Sequence, residues 1–277
     1  EGVVDFVEKG NLKLFPVRTG AAFLPAVTED SHGDEMPSFR YCTEVVLQGK
    51  GISRTDLIGG LSRYGDSIVA GGGGERFRIH LHADCPADVM EHLSGKGSLS
   101  FQKVDDMRRQ LEARKHRLSP VALLTDSCCD LPPEILDRYQ IHMVPLTVSA
   151  CGSEFLDKLT LKPGQIYTTL RETERSFSTS QPSYGEFVRR YSFLESHYES
   201  VISLHLSAAL SGTWSVSRKA AANDGGERIH VIDSKNISGG LGLLVLKAAE
   251  AAAAGKSAEE ILEIVRRSIP RTRIIAG

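Results

Sequence analysis

The stretch VALLTDSCCDLPPEILDRYQ, residues 121 to 140, decides how the second half of this sequence folds. VALLTDS opens on an unbroken apolar run rather than an alternating one, the pattern of a strand buried on both faces. In DLPPEILDRYQ, Asp130 can cap a helix whose first turn tolerates the prolines. A buried strand followed by a helix is half of a βαβ unit, and the chain repeats it. HMVPLTVSA (142–150), VISLHL (201–206) and RIHVIDS (228–234) read as strands. SYGEFVRRYSFL (183–194), GTWSVSRKAA (212–221), SGGLGLLVLKAAEAAAAG (238–255) and AEEILEIVRRS (258–268) read as helices. Ser183 with Glu186, and Ser257 with Glu260, have capping-box spacing, and Gly255 stands where a helix C-cap belongs. This alternation predicts an α/β region with a mostly parallel sheet, right-handed crossovers and flanking helices.

In an open parallel sheet the ligand crevice lies at the carboxyl ends of the strands. Thr125 and Ser127 end the first strand, and Thr147 falls near the end of the second. Ser207, Ser211, Gly212 and Thr213 follow VISLHL, and Asp233 and Ser234 end IHVIDS. SFSTSQPSYGEF (176–187) adds Ser178, Thr179, Ser180 and Ser183 around Pro182. Such residues cap helices. Together with helix-end amides they also hold a carboxylate or phosphate oxygen, and residue type alone leaves both readings open.

The first half is written differently. RYCTEVVL, RYGDSIVA and ERFRIHLH read as strands of a smaller α+β domain, and IVAGGGGERF as a hairpin with a glycine-rich turn. No Lys-Ser/Thr follows those glycines, and GKG at 49–51 and 95–97 lacks Walker spacing, which argues against a nucleotide loop. Residues i and i+2 of a strand share a face, so His80 and His82 can present two imidazoles to one ion. Cys42 on a neighbouring strand can add a thiolate, a set suited to Zn²⁺ with a fourth ligand from another side chain or water. The alternative is a solvated strand face beside a core thiol. The polar run RKHRLS (114–119) is read as the boundary between the two regions, and TEDSHGDEMPS (28–38) as a second one.

With 277 residues the chain has room for two domains. Its 41% apolar and 25% charged residues are those of a globular protein, and a net charge of −2 leaves no basic footprint for nucleic acid. A small-molecule or protein partner is expected. The five cysteines, odd in number with two adjacent, suit a reducing, cytoplasmic setting better than a disulfide framework. No run approaches the ~20 apolar residues of a membrane span.

TDSCCDLP (125–132), MVPLTV (143–148), TSQPS (179–183), LSGT (210–213) and IDSKNISGGLG (232–242) resemble, in order, the successive motifs of the DegV family of fatty-acid-binding proteins. The resemblance implies an acyl carboxylate held near TSQPS with help from the LSGT loop. Carried over, Thr179 and Ser180 hold the head group, with Ser127, Ser211 and Thr213 in support. Cys128 stands where the family often has Thr or Ser, and Ala208 removes a hydroxyl from an SSxLSGT pattern. The sequence stops at RTRIIAG where DegV proteins continue into a second lobe, so residues 121–277 are read as a truncated lobe of a longer chain.

FRYCTE, GDS, HLHADCP and GSLSFQKVDDMRRQ, within residues 37 to 117, resemble the middle domain of fatty acid kinase, also described as a dihydroxyacetone-kinase phosphatase-like region. That resemblance implies zinc at Cys42, His80 and His82 in a domain spanning 28–117. GVVDFVEKG resembles the closing helix of an upstream nucleotide-binding domain, which would make residues 1–27 its tail. The expected function is to bind a long-chain fatty acid and present it to a kinase domain, in the same or another chain, for phosphorylation toward phospholipid synthesis, with a homodimer as the expected assembly. The rival readings are a zinc-dependent hydrolase or phosphatase, with Asp66 or Glu44 as base, and a non-catalytic dimerisation module of a dihydroxyacetone-kinase-like protein.

Overall fold

The computed structural model of the chain describes residues 36–172, 177–223 and 227–274. The expected tail at 1–27 and most of the 28–38 stretch lie outside them. β1 (Tyr41–Gln48), β2 (Gly65–Gly73), β3 (Arg76–Ala83) and β4 (Ser98–Asp106) form an antiparallel sheet in the order β2-β3-β1-β4. The two-residue period of each strand divides its side chains between two faces. Val45, Leu47, Phe77, Ile79 and Leu81 are buried on one face. They pack with Leu57 and Leu61 of α1 (Arg54–Leu61) and with Val89, Met90 and Leu93 of α2 (Pro86–Ser94). Cys42, Glu44, Arg78, His80 and His82 occupy the alternate, half-buried positions. A third helix, α3 (Met107–Lys115), leads to the next sheet.

That second sheet is parallel: β5 (Val121–Asp126), β6 (His142–Val144), β10 (Ser200–His205) and β11 (Ile229–Asp233), in the order β11-β10-β5-β6. β5 is buried along its whole length, as its unbroken apolar run requires. Val121 and Leu123, with Ile202 and Leu204, face α8 (Ser238–Ala253) and α9 (Ala258–Ser268). Ala122, Leu124 and Val201 meet Phe187 and Tyr191 of α6 (Tyr184–Glu195) and Ala220 of α7 (Thr213–Asn223) on the other face. Helices therefore sandwich the sheet, in the mixed α/β arrangement expected from the sequence. Gly255 ends α8 at φ +75°, a conformation that a Cβ would strain. Ser257 and Glu260 close the capping box of α9.

HMVPLTVSA, expected as one strand of the parallel sheet, is two. β6 ends after three residues before Pro145, which has no N–H to give a ladder. The chain then starts β7 (Thr147–Ala150) in a separate antiparallel sheet with β8 (Ser153–Leu156) and β9 (Phe177–Ser180), in the order β8-β7-β9. Thr147 thus opens a strand of the small sheet instead of ending one in the large sheet. Val148, Ala150 and Phe155 join the apolar core of the first sheet. α5 (Pro163–Glu172) lies between β8 and β9. Asp130 does not cap α4 (Pro133–Arg138), whose N-cap is Pro132; its carboxylate instead accepts from Lys158 and from Ser238. At α6 the expected box is half made: Ser183 Oγ accepts from Glu186 N, but the Glu186 carboxylate turns to Arg189 and Arg190.

Ion pairs tie the antiparallel sheet to the parallel one. The Arg40 guanidinium, preceding β1, bonds Asp106 at 2.7 Å and Asp137 of α4 at 2.7 and 2.8 Å. Arg109 of α3 reaches the same Asp137 carboxylate at 2.7 Å. Burial opposes the charge on Asp137, but the hydrogen bonds from Arg40 and the charges of Arg40 and Arg109 outweigh it and hold its pKa below the usual range. A lowered carboxylate pKa contributes stability that is complete above the unfolded value, near 3.9, and is lost as pH falls through the folded one. Asp137→Asn is expected to cost about 1–3 kcal/mol at pH 7. In urea titrations repeated between pH 7 and pH 2, wild type and variant should converge at the acid end; a constant gap would contradict the assignment.

Candidate functional site

The strand order places a topological switch point between β5 and β10: the connection after β5 leads to one side, and β10 and β11 follow on the other. Ligand crevices of open α/β sheets form at the carboxyl ends of such a pair. Two loops meet there, built around Asp126. Its Oδ1 accepts from Cys128 N at 3.0 Å and its Oδ2 from Leu206 N at 2.9 Å, so one buried carboxylate sets the first residues after both strands.

The third loop arrives from β9. Gln181 of TSQPS packs against Gly212 of LSGT so closely that a Cβ added at 212 would lie 2.0 Å from Gln181 Oε1. The small side chain at 212 is what lets the two motifs touch. Ser211 Oγ bonds Thr213 Oγ1 at 2.9 Å and accepts from Thr213 N at 3.2 Å, fixing the turn into α7.

Each residue singled out from the sequence has a definite place here. Ser127 is buried, accepting from Leu146 N at 3.0 Å and donating to Asp157, so its hydroxyl clips β5 to the chain after β6. Burial raises the Asp157 carboxyl above its ordinary value, and the Ser127 hydrogen bond offsets part of the rise. Thr213 is buried, and Ser211 half-buried at the surface of the turn. Thr179 and Ser180 are exposed on the edge strand β9, paired with Val148 and Thr147 respectively. Being consecutive in a strand, their side chains leave it toward opposite faces. Asp126 and Gln181, which the sequence reading does not assign to the site, are the residues that join its loops. Their signal in the sequence is position alone, immediately beside the motif hydroxyls.

The paired thiols beside the crevice are not poised as nucleophiles. Burial, with the charges of Asp126 and Asp157, pushes Cys128 up to about 12, and burial pushes Cys129 to about 11.

A second cluster lies on the polar face of the antiparallel sheet. Cys42 pairs with His82 across β1 and β3, and the ligand atoms of Cys42, His80 and His82 all lie within 4.8 Å of one another. Cys42 Sγ stands 3.9 Å from His80 Nδ1. Burial first, then the Asp105 carboxylate, raises the thiol to about 11, so the thiolate form calls for a cation beside it. Asp66, in register with His82 on β2, approaches His82 Nδ1 at 3.5 Å, the position of an outer carboxylate behind a ligating imidazole. Glu44 is ion-paired with Arg78. One sulfur and two nitrogens on one rigid face suit Zn²⁺.

The fold and crevice define an α/β lobe that meets a ligand at the carboxyl ends of its central strands. Residues 120–276 match the family described as "Uncharacterised protein, DegV family", and residues 38–114 match the FakA-like middle domain of fatty acid kinase. The first match takes in more than half of the chain, which belongs to the DegV family. A DegV domain-containing protein of Deinococcus radiodurans is 40% identical over 151 residues, 54% of this chain and 53% of the relative. Among solved structures, a fatty acid binding DegV protein from Bacillus subtilis is 31% identical with a TM-score of 0.53, covering 55% of this chain and 54% of its own. A Thermus thermophilus DegV family protein, whose structure is described by its fatty acid binding, is 34% identical with a TM-score of 0.51, at 54% and 53% coverage. The chain spans about half the length of the curated relatives it matches.

Close contact at Gly212 gives a direct test of the loop junction. Gly212→Ala should cost about 1–3 kcal/mol, the usual range for overpacking. Trimming the opposing side chain in a Gln181→Ala/Gly212→Ala double variant should recover most of that loss in thermal melts. Additive losses would mean that the two loops do not touch.

Proposed function

We propose that this chain binds a long-chain fatty acid by its carboxylate at the crevice beyond β5 and β10. Thr179 and Ser180 supply the head-group contacts, and Ser127, Ser211 and Thr213 hold the surrounding loops. The observation that carries the reading is the convergence of TDS, TSQPS and LSGT through Asp126 and Gln181, in a family whose solved members include fatty-acid-binding proteins. Neutral hydroxyl donors suit a carboxylate that must remain nucleophilic, because they orient its oxygens without pairing its charge.

In this reading residues 121–277 act as the lipid-holding lobe and residues 28–117 as a middle domain of fatty acid kinase type. The lipid is presented to a kinase domain, in the same or another chain, which phosphorylates the carboxylate, and the working assembly is a homodimer in the cytoplasm. What supports the kinase link is the middle-domain match. Cys42, His80 and His82 would hold a zinc ion, whose role on this face is to cross-link β1 and β3. Both carboxylates suggested as hydrolytic bases have other work, Glu44 with Arg78 and Asp66 behind His82, which favours a structural ion over a hydrolytic one.

Lipid extracted from Thr179→Ala/Ser180→Ala protein should fall at least about tenfold below wild type, since each hydrogen bond to a charged group contributes about 1.5–3 kcal/mol. Melting temperature should barely move, both side chains being exposed. An undiminished lipid load would refute the head-group assignment. Because the two residues face opposite ways, the single variants should divide the loss unequally. Elemental analysis is expected to find one zinc per wild-type chain and none in Cys42→Ser, with a lower melting temperature and an unchanged lipid load. Metal-free wild-type protein of equal stability would remove zinc from the account.

A further inference from the structure

A line of hydrogen bonds crosses the otherwise apolar layer between β10 and helices α6 and α7. Tyr191 OH donates to Ser203 Oγ at 2.8 Å and meets Ser217 Oγ at 2.5 Å. Ser203 Oγ meets His205 Nε2 at 2.7 Å, and His205 Nδ1 meets Asp126 Oδ2 at 3.0 Å. All five side chains are 0% exposed. Only one direction satisfies every proton: Ser217 donates to Tyr191, Tyr191 to Ser203, Ser203 to His205 Nε2, and His205 Nδ1–H to the carboxylate. The tautomer of His205 follows from its neighbours.

Ser203, His205 and Asp126 have the spacing of a nucleophile, base and orienting acid, but a fully enclosed Ser203 meets no substrate. The line ends elsewhere. Asp126 is the carboxylate that takes the Cys128 and Leu206 amides, and Ser217 lies one helical turn beyond Thr213, where α7 leaves the LSGT loop. Buried polar groups in an apolar layer cost stability unless each is partnered, and here each partner leads toward a loop of the crevice.

We infer that His205 is a positioning residue for the fatty-acid crevice. By donating to Asp126 it holds that carboxylate where both loop amides reach it, and through Ser203 and Tyr191 it ties the same point to α7. The inference rests on the fatty-acid reading of the crevice. His205→Asn places an amide N–H where Nδ1–H stood and keeps the Asp126 bond, whereas His205→Leu removes it.

The test uses the natural full-length chain, with binding of a fluorescent polyene fatty acid as one readout and hydrogen exchange of the Cys128 and Leu206 amides in ligand-free protein as the other. His205→Leu is expected to weaken binding at least tenfold and to speed exchange of both amides. His205→Asn should stay within about threefold of wild type with both amides protected. Wild-type-like binding by His205→Leu, or an Asn variant as weak as the Leu variant, overturns the role given to His205. A wild-type chain that binds no fatty acid overturns the crevice reading itself and this inference with it, a result distinguished by the behaviour of the wild-type control.

Discussion

One buried carboxylate organises the ligand end of this molecule. Asp126 sits at the last position of β5 and accepts main-chain amides from the loops after β5 and β10. An unpaired carboxylate in that position would be untenable, and two amides plus an imidazole are what make it stable there. The loops are consequently fixed by the strands beneath them. A binding site on loops gains precision when the loops inherit the rigidity of the sheet, because less ordering remains to be done on binding.

The second constraint is Pro145. By ending β6 after three residues it releases the chain from the parallel sheet, and β7 to β9 then pack against the antiparallel sheet. TSQPS reaches the crevice from that direction, carried on the edge strand β9. The site is thus assembled from both sheets, although most of its motifs lie in the segment that forms the parallel one.

Much of this was legible in the sequence, for physical reasons that differ by element. β5, β10 and β11 announce themselves because a strand buried on both faces has an unbroken apolar run. α9 does so because Ser257 and Glu260 are both cap and box. The small sheet was hidden: Thr147–Ala150 and Ser153–Leu156 are four-residue strands, too short for periodicity to register. SFSTS reads as a loop because its hydroxyls are common in turns, yet it forms β9. Asp130 illustrates the reverse error. It has the chemistry of a helix cap, but Lys158 and Ser238, distant in sequence, take its carboxylate. Asp126 and His205 were equally unreadable, since a hydrogen bond between residues 79 positions apart leaves no local trace.

The seam between the two sheets is built largely from side chains. Leu99 N donates to Ser153 Oγ at 2.9 Å, Gln102 reaches both Glu154 O and Thr160, and Arg189 crosses from α6 to Asp105 of β4 at 2.5 Å. A main-chain ladder is indifferent to sequence, whereas a seam of this kind is inherited residue by residue. The segment matched by the middle-domain family contributes Arg40, Leu99, Gln102, Asp105 and Arg109, and the segment matched by the DegV family contributes Asp137, Ser153, Thr160 and Arg189. A handful of compatible substitutions is then enough to join two lineages into one chain, and a similarly small number to let them part.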